Sequence, residues 1–210
     1  MEKNKTKEKI MEAATRLFAE KGLEGVTVRE ICRAAKVNGA LVNYHFHSKE
    51  GLYRECVERV YEATHGSEMA AVVAGVRDAR TWKAAVHIWV ETFVEAFHAK
   101  VGVGAYAAGI FRQETMHPSK VKDYLEEHFA SPARNRLFRL MRMATDNDHE
   151  AYLWSASIWV QLGAYALYHP IWRARHRPPG ATEDEWRHEF VAFVCDRIFG
   201  GLKFRGVLTA

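Results

Sequence analysis

Apolar residues recur at helical spacing along almost the whole chain, and short polar or glycine-rich interruptions mark where one helix gives way to the next. Ile10, Ala13, Ala14, Leu17 and Phe18 stand at i, i+3, i+4, i+7 and i+8, which predicts an amphipathic helix, and Gly22 sits where a left-handed C-terminal residue belongs. Val28, Ile31, Cys32 and Ala35 form a second, shorter stripe. It opens on Thr27 with Glu30 three residues later, a capping box in which hydroxyl and carboxylate each take an orphan amide of the first turn. Lys36-Val37-Asn38-Gly39 breaks that stripe, and Asn38 is a good N-cap for a third helix, Gly39 to Phe46, with Val42 and Phe46 one turn apart and facing inward. Ser48 caps a fourth, opening Lys49-Glu50-Gly51-Leu52-Tyr53.

The rest also reads as helix, over about 49–71, 81–100, 103–113, 119–143, 148–168 and 182–204. His117-Pro118 predicts a turn, Ser131-Pro132 a kink and Pro178-Pro179-Gly180 a break, while Thr182 and Glu185 form another capping box ahead of Trp186, Phe190, Phe193, Val194 and Ile198. No sustained alternation, hairpin dipeptide or internal repeat interrupts this pattern, so the expected fold is all-α.

Two short capped helices joined by a tight turn suit the reading of DNA. Small residues at the front of the helix from Gly39 let its backbone approach a surface closely, and Ala40, Leu41, Asn43 and Tyr44 form the side turned away from Val42 and Phe46. The N-terminus of the next helix, with Lys49, suits a phosphate oxygen, and Thr27, Lys36, Tyr44 and His45 can serve from other sides. The candidate DNA contacts are thus Thr27, Lys36, Asn38, Gly39, Ala40, Leu41, Asn43, Tyr44, His45 and Lys49.

Charge fits without deciding. Residues 1–60 hold 12 Lys/Arg against 9 Asp/Glu, an excess of +3 out of +4 for all 210 residues. The three cysteines, Cys32, Cys56 and Cys195, are scattered and in no metal or redox spacing, which implies a reducing, cytoplasmic setting, and no secretory leader opens the chain. Residues 151–172 lack Asp, Glu, Lys and Arg, enough length to span a bilayer. Their Ser155, Ser157, Gln161, His169 and Pro170, and a mean hydropathy of -0.29, favour the central helix of a soluble bundle and no membrane association. The 11 histidines form no His-Glu-x-x-His pattern, and no nucleophile elbow, phosphate loop or dinucleotide loop is present, so neither catalysis nor a cofactor or metal is expected.

Residues 6 to about 53 resemble the N-terminal domain of the TetR/AcrR family of transcriptional regulators. The resemblance rests on Phe18-Ala19-Glu20-Lys21-Gly22, Thr27 at the second helix, Ile31 to Ala35, Val37 at the turn, Tyr44-His45-Phe46 and Lys49-Glu50-Gly51-Leu52. One departure is Asn43, where the family often has a second aromatic before the tyrosine; Asn43 becomes a candidate for a base or phosphate hydrogen bond. Ile110 to Glu114 with Pro118, then Ser131-Pro132, resemble the C-terminal domain of the CecR-type subgroup, with Arg112 and Glu114 as structural salt-bridge members.

The resemblance implies a helix-turn-helix DNA-binding domain, residues 1–48, and a helical-bundle domain, residues 49–210, that dimerises through its last two helices and takes an unidentified small-molecule effector. Trp89, Phe93, Phe97, Phe111, Tyr165, Tyr168 and Trp172 are the candidate effector residues, although an aromatic stripe is as readily plain core. The expected function is a ligand-responsive repressor that binds a palindromic duplex operator as a homodimer; the alternative is a DNA-bound adaptor that recruits a protein partner.

Overall fold

Eleven α-helices follow one another with no strand among the described residues of the computed structural model, which are 2–65, 68–98, 103–176 and 180–207. They group into two compact units, Met1–Thr64 with Ala96–Phe129, and His65–Glu95 with Ala130–Ala210.

In the first unit, α1 (Glu2–Lys21), α2 (Val28–Ala35), α3 (Gly39–Phe46) and α4 (Lys49–His65) surround one core. Ile10, Ala14, Phe18, Ile31, Val42 and Phe46 are buried in it, as the stripes predict, and Leu52, Tyr53 and Cys56 of α4 join them. Gly22 closes α1 at φ 71. Less expected is α7 (Ala107–Met116), which follows a 3-10 turn at Val103–Tyr106 and adds Ala107 and Ile110 to the same core. Gly109 lets it lie against α1: a Cβ there would stand 2.7 Å from the Ala19 carbonyl oxygen. Polar groups lock the pair. Gln113 donates to the Glu20 carbonyl at 2.8 Å, satisfying one of the four carbonyls that the end of α1 leaves without an intrahelical partner. Glu114 accepts from the buried Tyr53 hydroxyl at 2.5 Å and from the Ser119 amide at 3.2 Å. Of the two residues expected to bridge across helices, Glu114 reaches α4 through this hydrogen bond to Tyr53, and Arg112 is exposed.

The second unit contains α5 (Glu68–Ala74), α6 (Ala79–Ala96, its last residue in the first unit), α9 (Ser131–Arg142), α10 (Asp148–His176) and α11 (Glu183–Gly201). Trp82 anchors it. Its indole N–H donates to the Leu140 carbonyl at 2.7 Å, near the C-terminal end of α9, and its ring is flanked by Phe199 and Phe204. Several boundaries differ from expectation. α6 starts at Ala79 rather than at 81, behind Asp78, which exchanges bonds with the Thr81 amide and hydroxyl. The expected helix over 119–143 is α8 (Lys122–Leu125), a π turn (Glu126–Ala130) and then α9. Ser131-Pro132 starts that last helix because a proline without an N–H suits a first turn. The helix from Lys49 ends at His65, and α10 continues through His169-Pro170 to His176.

All three cysteines are buried; burial pushes the thiols of Cys56 and Cys195 up to about 12, so they stay protonated and pack as apolar groups.

Between α3 and α4 the chain turns on His47, at φ 64 and ψ −37, with the Ser48 amide donating to the Phe46 carbonyl at 2.7 Å, a γ-turn that residues other than glycine adopt under strain. This brings the Phe46 carbonyl against Gly51, where a Cβ would overlap that oxygen. Gly51→Ala is therefore expected to cost about 1–3 kcal/mol in urea denaturation. Gly200→Ala, in α11 with nothing within 4 Å of its added carbon, is expected to raise stability by about 0.4–1 kcal/mol in the same measurement.

Candidate nucleic-acid interface and effector site

The eight-residue α2 starts with the predicted capping box. Thr27 Oγ1 accepts from the Glu30 amide at 3.2 Å, and Glu30 takes the Thr27 amide and hydroxyl, both at 2.8 Å. The one hydroxyl proton of Thr27 is thereby committed within the chain. Lys36 ends α2 in the left-handed conformation at φ 56, its amide donating to the Cys32 and Arg33 carbonyls, and its side chain is exposed. Asn38 then caps α3, its side chain accepting from the Ala40 amide at 3.0 Å. Buried Val42 and Phe46 set the roll of α3 and leave Gly39, Ala40, Asn43 and Tyr44 exposed, Tyr44 at 61%. Leu41 departs from expectation in part: it is half-buried and packs against the core. His45 is half-buried between the rings of Tyr44 and Phe46.

Lys49 is more deeply committed than its place at a helix start suggests. Its ammonium donates to the Leu23 carbonyl at 2.9 Å and the Val26 carbonyl at 3.1 Å, with Glu24 at 3.9 Å. Two of its three protons hold the α1–α2 loop, leaving one for an outside oxygen. A feature passed over in the sequence is a basic row on α2: Arg29, Arg33 and Lys36 stand at i, i+4 and i+7, all exposed, opposite buried Ile31, Cys32 and Ala35. Their spacing alone could have revealed it.

The candidate effector aromatics do not form one cluster. Phe97 and Phe111 meet edge-on at 5.3 Å within the first unit. In the second unit Trp89 and Phe93 are buried and stack at 5.9 Å, both touching Trp159. Tyr165 is buried against Phe190 at 4.1 Å, Tyr168 is 47% exposed, and the side chain of Trp172 lies outside the described residues. A small cavity, about 260 Å³ including its open mouth, is lined by Met69, Trp89, Thr92, Phe93, Ala133 and Arg136. Only Trp89 and Phe93 of it were expected, because nothing local marks Met69 or Arg136 as their neighbours.

Residues 10–56, which contain the capping box, the turn and α3, match the profile of the bacterial regulatory proteins of the tetR family. The head is similar to a tetR-family head. It is similar to the probable HTH-type transcriptional regulator YttP of Bacillus subtilis, 47% identical over 57 residues, 27% of this chain and 28% of that protein. It is also similar to the HTH-type transcriptional regulatory protein RaaS of Mycobacterium tuberculosis, 43% identical over 76 residues, 36% of this chain and 34% of that one. The matches thus span only about a third of either relative.

The fold as a whole is similar to solved regulators at low identity. A putative transcriptional regulator from Saccharomonospora viridis, solved in complex with choline, has a TM-score of 0.65 at 16% identity, covering 95% of this chain and 98% of that one. The ketosteroid transcriptional regulator KstR2 of Mycobacterium tuberculosis has 0.61 at 18%, covering 95% of each.

Electrostatics within residues 10–56 centre on Glu30. The Lys21 ammonium at 2.9 Å, then the Thr27 amide and hydroxyl, hold its carboxyl down to about 2, below its usual 4.5. Since the folded head keeps this carboxylate ionised more readily than the unfolded chain does, its contribution is whole above about 4.5 and disappears as pH falls toward 2. Glu30→Gln is expected to lower stability at pH 7 and to flatten the loss between pH 4.5 and 2, read by circular dichroism across that range. A variant with an unchanged acid profile would place the pH dependence elsewhere.

Proposed function

We propose that this chain is a homodimeric transcriptional repressor that lays α3 into the major groove of a palindromic duplex operator and responds to a small molecule bound in its C-terminal part. The observation that carries the DNA reading is the outer face of α3, where Gly39, Ala40, Asn43 and Tyr44 are exposed over buried Val42 and Phe46. Ala40 and Asn43 read base edges, with Leu41 in a lesser part. Lys36, Tyr44, His45 and the third proton of Lys49 meet phosphates. Thr27 and Asn38 act through the amides they orient, since their own side chains are engaged. Arg29 and Arg33 extend the phosphate row begun by Lys36.

Dimerisation uses α10 and α11. Tyr152, Leu153, Val160, Tyr168 and Ile171 fall within one half of the circumference of α10, and Phe193 on α11 is likewise exposed. Single exposed apolar residues are ordinary, but a long stripe of them marks a partner surface. Two copies so joined set half-sites about 34–36 Å apart or a multiple of that. The Ile110 to Glu114 run supports a CecR-type C-terminal part. Among the described residues no helix is long and apolar enough to cross a membrane, and a cytoplasmic setting is proposed with the DNA reading.

Selection from random duplexes is expected to enrich an inverted repeat; absence of enrichment would end the DNA reading. Asn43→Ala is expected to relax preference at one position of each half-site by about 1–3 kcal/mol, measured by competition among single-base operator variants. Arg33→Ala is expected instead to weaken all duplexes alike and to lower the salt slope by about one unit.

A further inference from the structure

We infer that Lys120, in the turn between α7 and α8, is a DNA-phosphate contact supplied from outside the residues that match the tetR profile, and that Glu24 limits its strength together with that of Lys49. This deepens the DNA reading proposed above and rests on it. All three residues belong to the first compact unit, and the two lysines share one carboxylate. The Lys49 ammonium stands 3.9 Å from one oxygen of Glu24, and the Lys120 ammonium 3.9 Å from the other. Glu24 itself lies three residues before Thr27, in the loop whose Leu23 and Val26 carbonyls Lys49 holds. Lys120 is thereby placed beside the start of α4, where the third proton of Lys49 is directed to phosphate.

The backbone that carries Lys120 is fixed on both sides. Ser119 is buried, its amide donating to Glu114 at 3.2 Å and its hydroxyl oxygen accepting from the Val121 amide at 3.3 Å, and Val121 is buried in the core of the head. Between these anchors the Lys120 side chain is 74% exposed. Among the described residues it makes no hydrogen bond, and its one ion partner, Glu24, is too far for one. An exposed pair this loose contributes little to folding, so stability does not account for an acid set between two lysines. Duplex DNA changes the balance. It carries one negative charge per about 1.7 Å of axis, and an ammonium with all three protons unengaged can replace a condensed counterion there. Glu24 repels the same phosphates, so the trio presents a single net positive charge, and removal of its carboxylate charge would leave two.

The test follows binding of the full chain to the selected operator and to an unrelated duplex by fluorescence anisotropy across a range of salt. Lys120→Ala is expected to weaken both duplexes alike and to lower the salt slope by about one unit per head, and Lys120→Arg to keep the slope. Glu24→Gln is expected to tighten both, by a factor that shrinks when Lys120 is already alanine, because the two groups act through one another. Position is read separately by photocrosslinking. All three native cysteines are buried, so the thiol of Lys120→Cys is the one open to a phenacyl azide, and it is expected to crosslink the operator. Glu62→Cys, exposed at the other end of α4 and about 20 Å from Lys49 along the helix axis, is expected to give no crosslink. An unchanged slope in Lys120→Ala, a loss confined to one duplex, no crosslink from Lys120→Cys, or equal crosslinks from the two thiols would each overturn the contact. An unaltered chain that binds neither duplex overturns the DNA reading and this contact with it; operator binding whose slope is the same in Lys120→Ala overturns this contact and leaves the DNA reading standing.

Discussion

An eight-residue α-helix leaves as many backbone groups without intrahelical partners as it satisfies, and the head of this chain is built on two such helices, α2 and α3. Neither is stable by itself, since so few hydrogen bonds barely offset the entropy of nucleation. Everything else in the head answers that constraint. Thr27 with Glu30 occupies the amide end of α2, the left-handed turn at Lys36 returns its amide to the carbonyl end, and Asn38 begins α3 within two residues of where α2 stops. The turn is short because both ends are satisfied by groups already inside it. Burial of Ile31, Cys32, Val42 and Phe46 then fixes how each helix is rolled.

Longer-range bonds finish the accounting where local caps cannot reach. The loop after α1 has two inward carbonyls, those of Leu23 and Val26, and the Lys49 ammonium closes both from the start of α4. Gln113 does the same for Glu20 at the end of α1, and Trp82 for Leu140 in the other unit. In each case the donor comes from a helix that also packs there, so the hydrogen bond and the apolar contact specify the same arrangement. The head is held less by its surface ion pairs, such as Lys7–Glu55, which are only half-buried and contribute little.

What was legible in the sequence follows from this division. The caps of α2 and α3, the stripe of α1 and the exposed set on α3 all depend on neighbours within a few residues, and the structure has them where the pattern put them. Lys49 was visible as a cation at a helix start, but its carbonyl partners lie 23 and 26 residues away, and no spacing rule reaches that far. The same distance hid the cavity, whose walls come from three helices. Helix ends were misjudged where a helix runs on through an expected breaker, as at His169-Pro170 inside α10, or where a breaker opens a helix instead of bending one, as at Pro132.

The place of α7 has a consequence for how the protein can be taken apart. Residues far along the chain complete the core beneath α2 and α3: Ala107 and Ile110 fill it, Gly109 meets α1, and Gln113 and Glu114 hold α1 and α4. A chimera that joined residues 1–48 to a different sensor would carry its specificity across without the floor it stands on. Under the proposed reading of α3, a change of specificity is therefore better made by replacing the exposed side chains of α3 in place, which leaves every buried contact with α7 as it is.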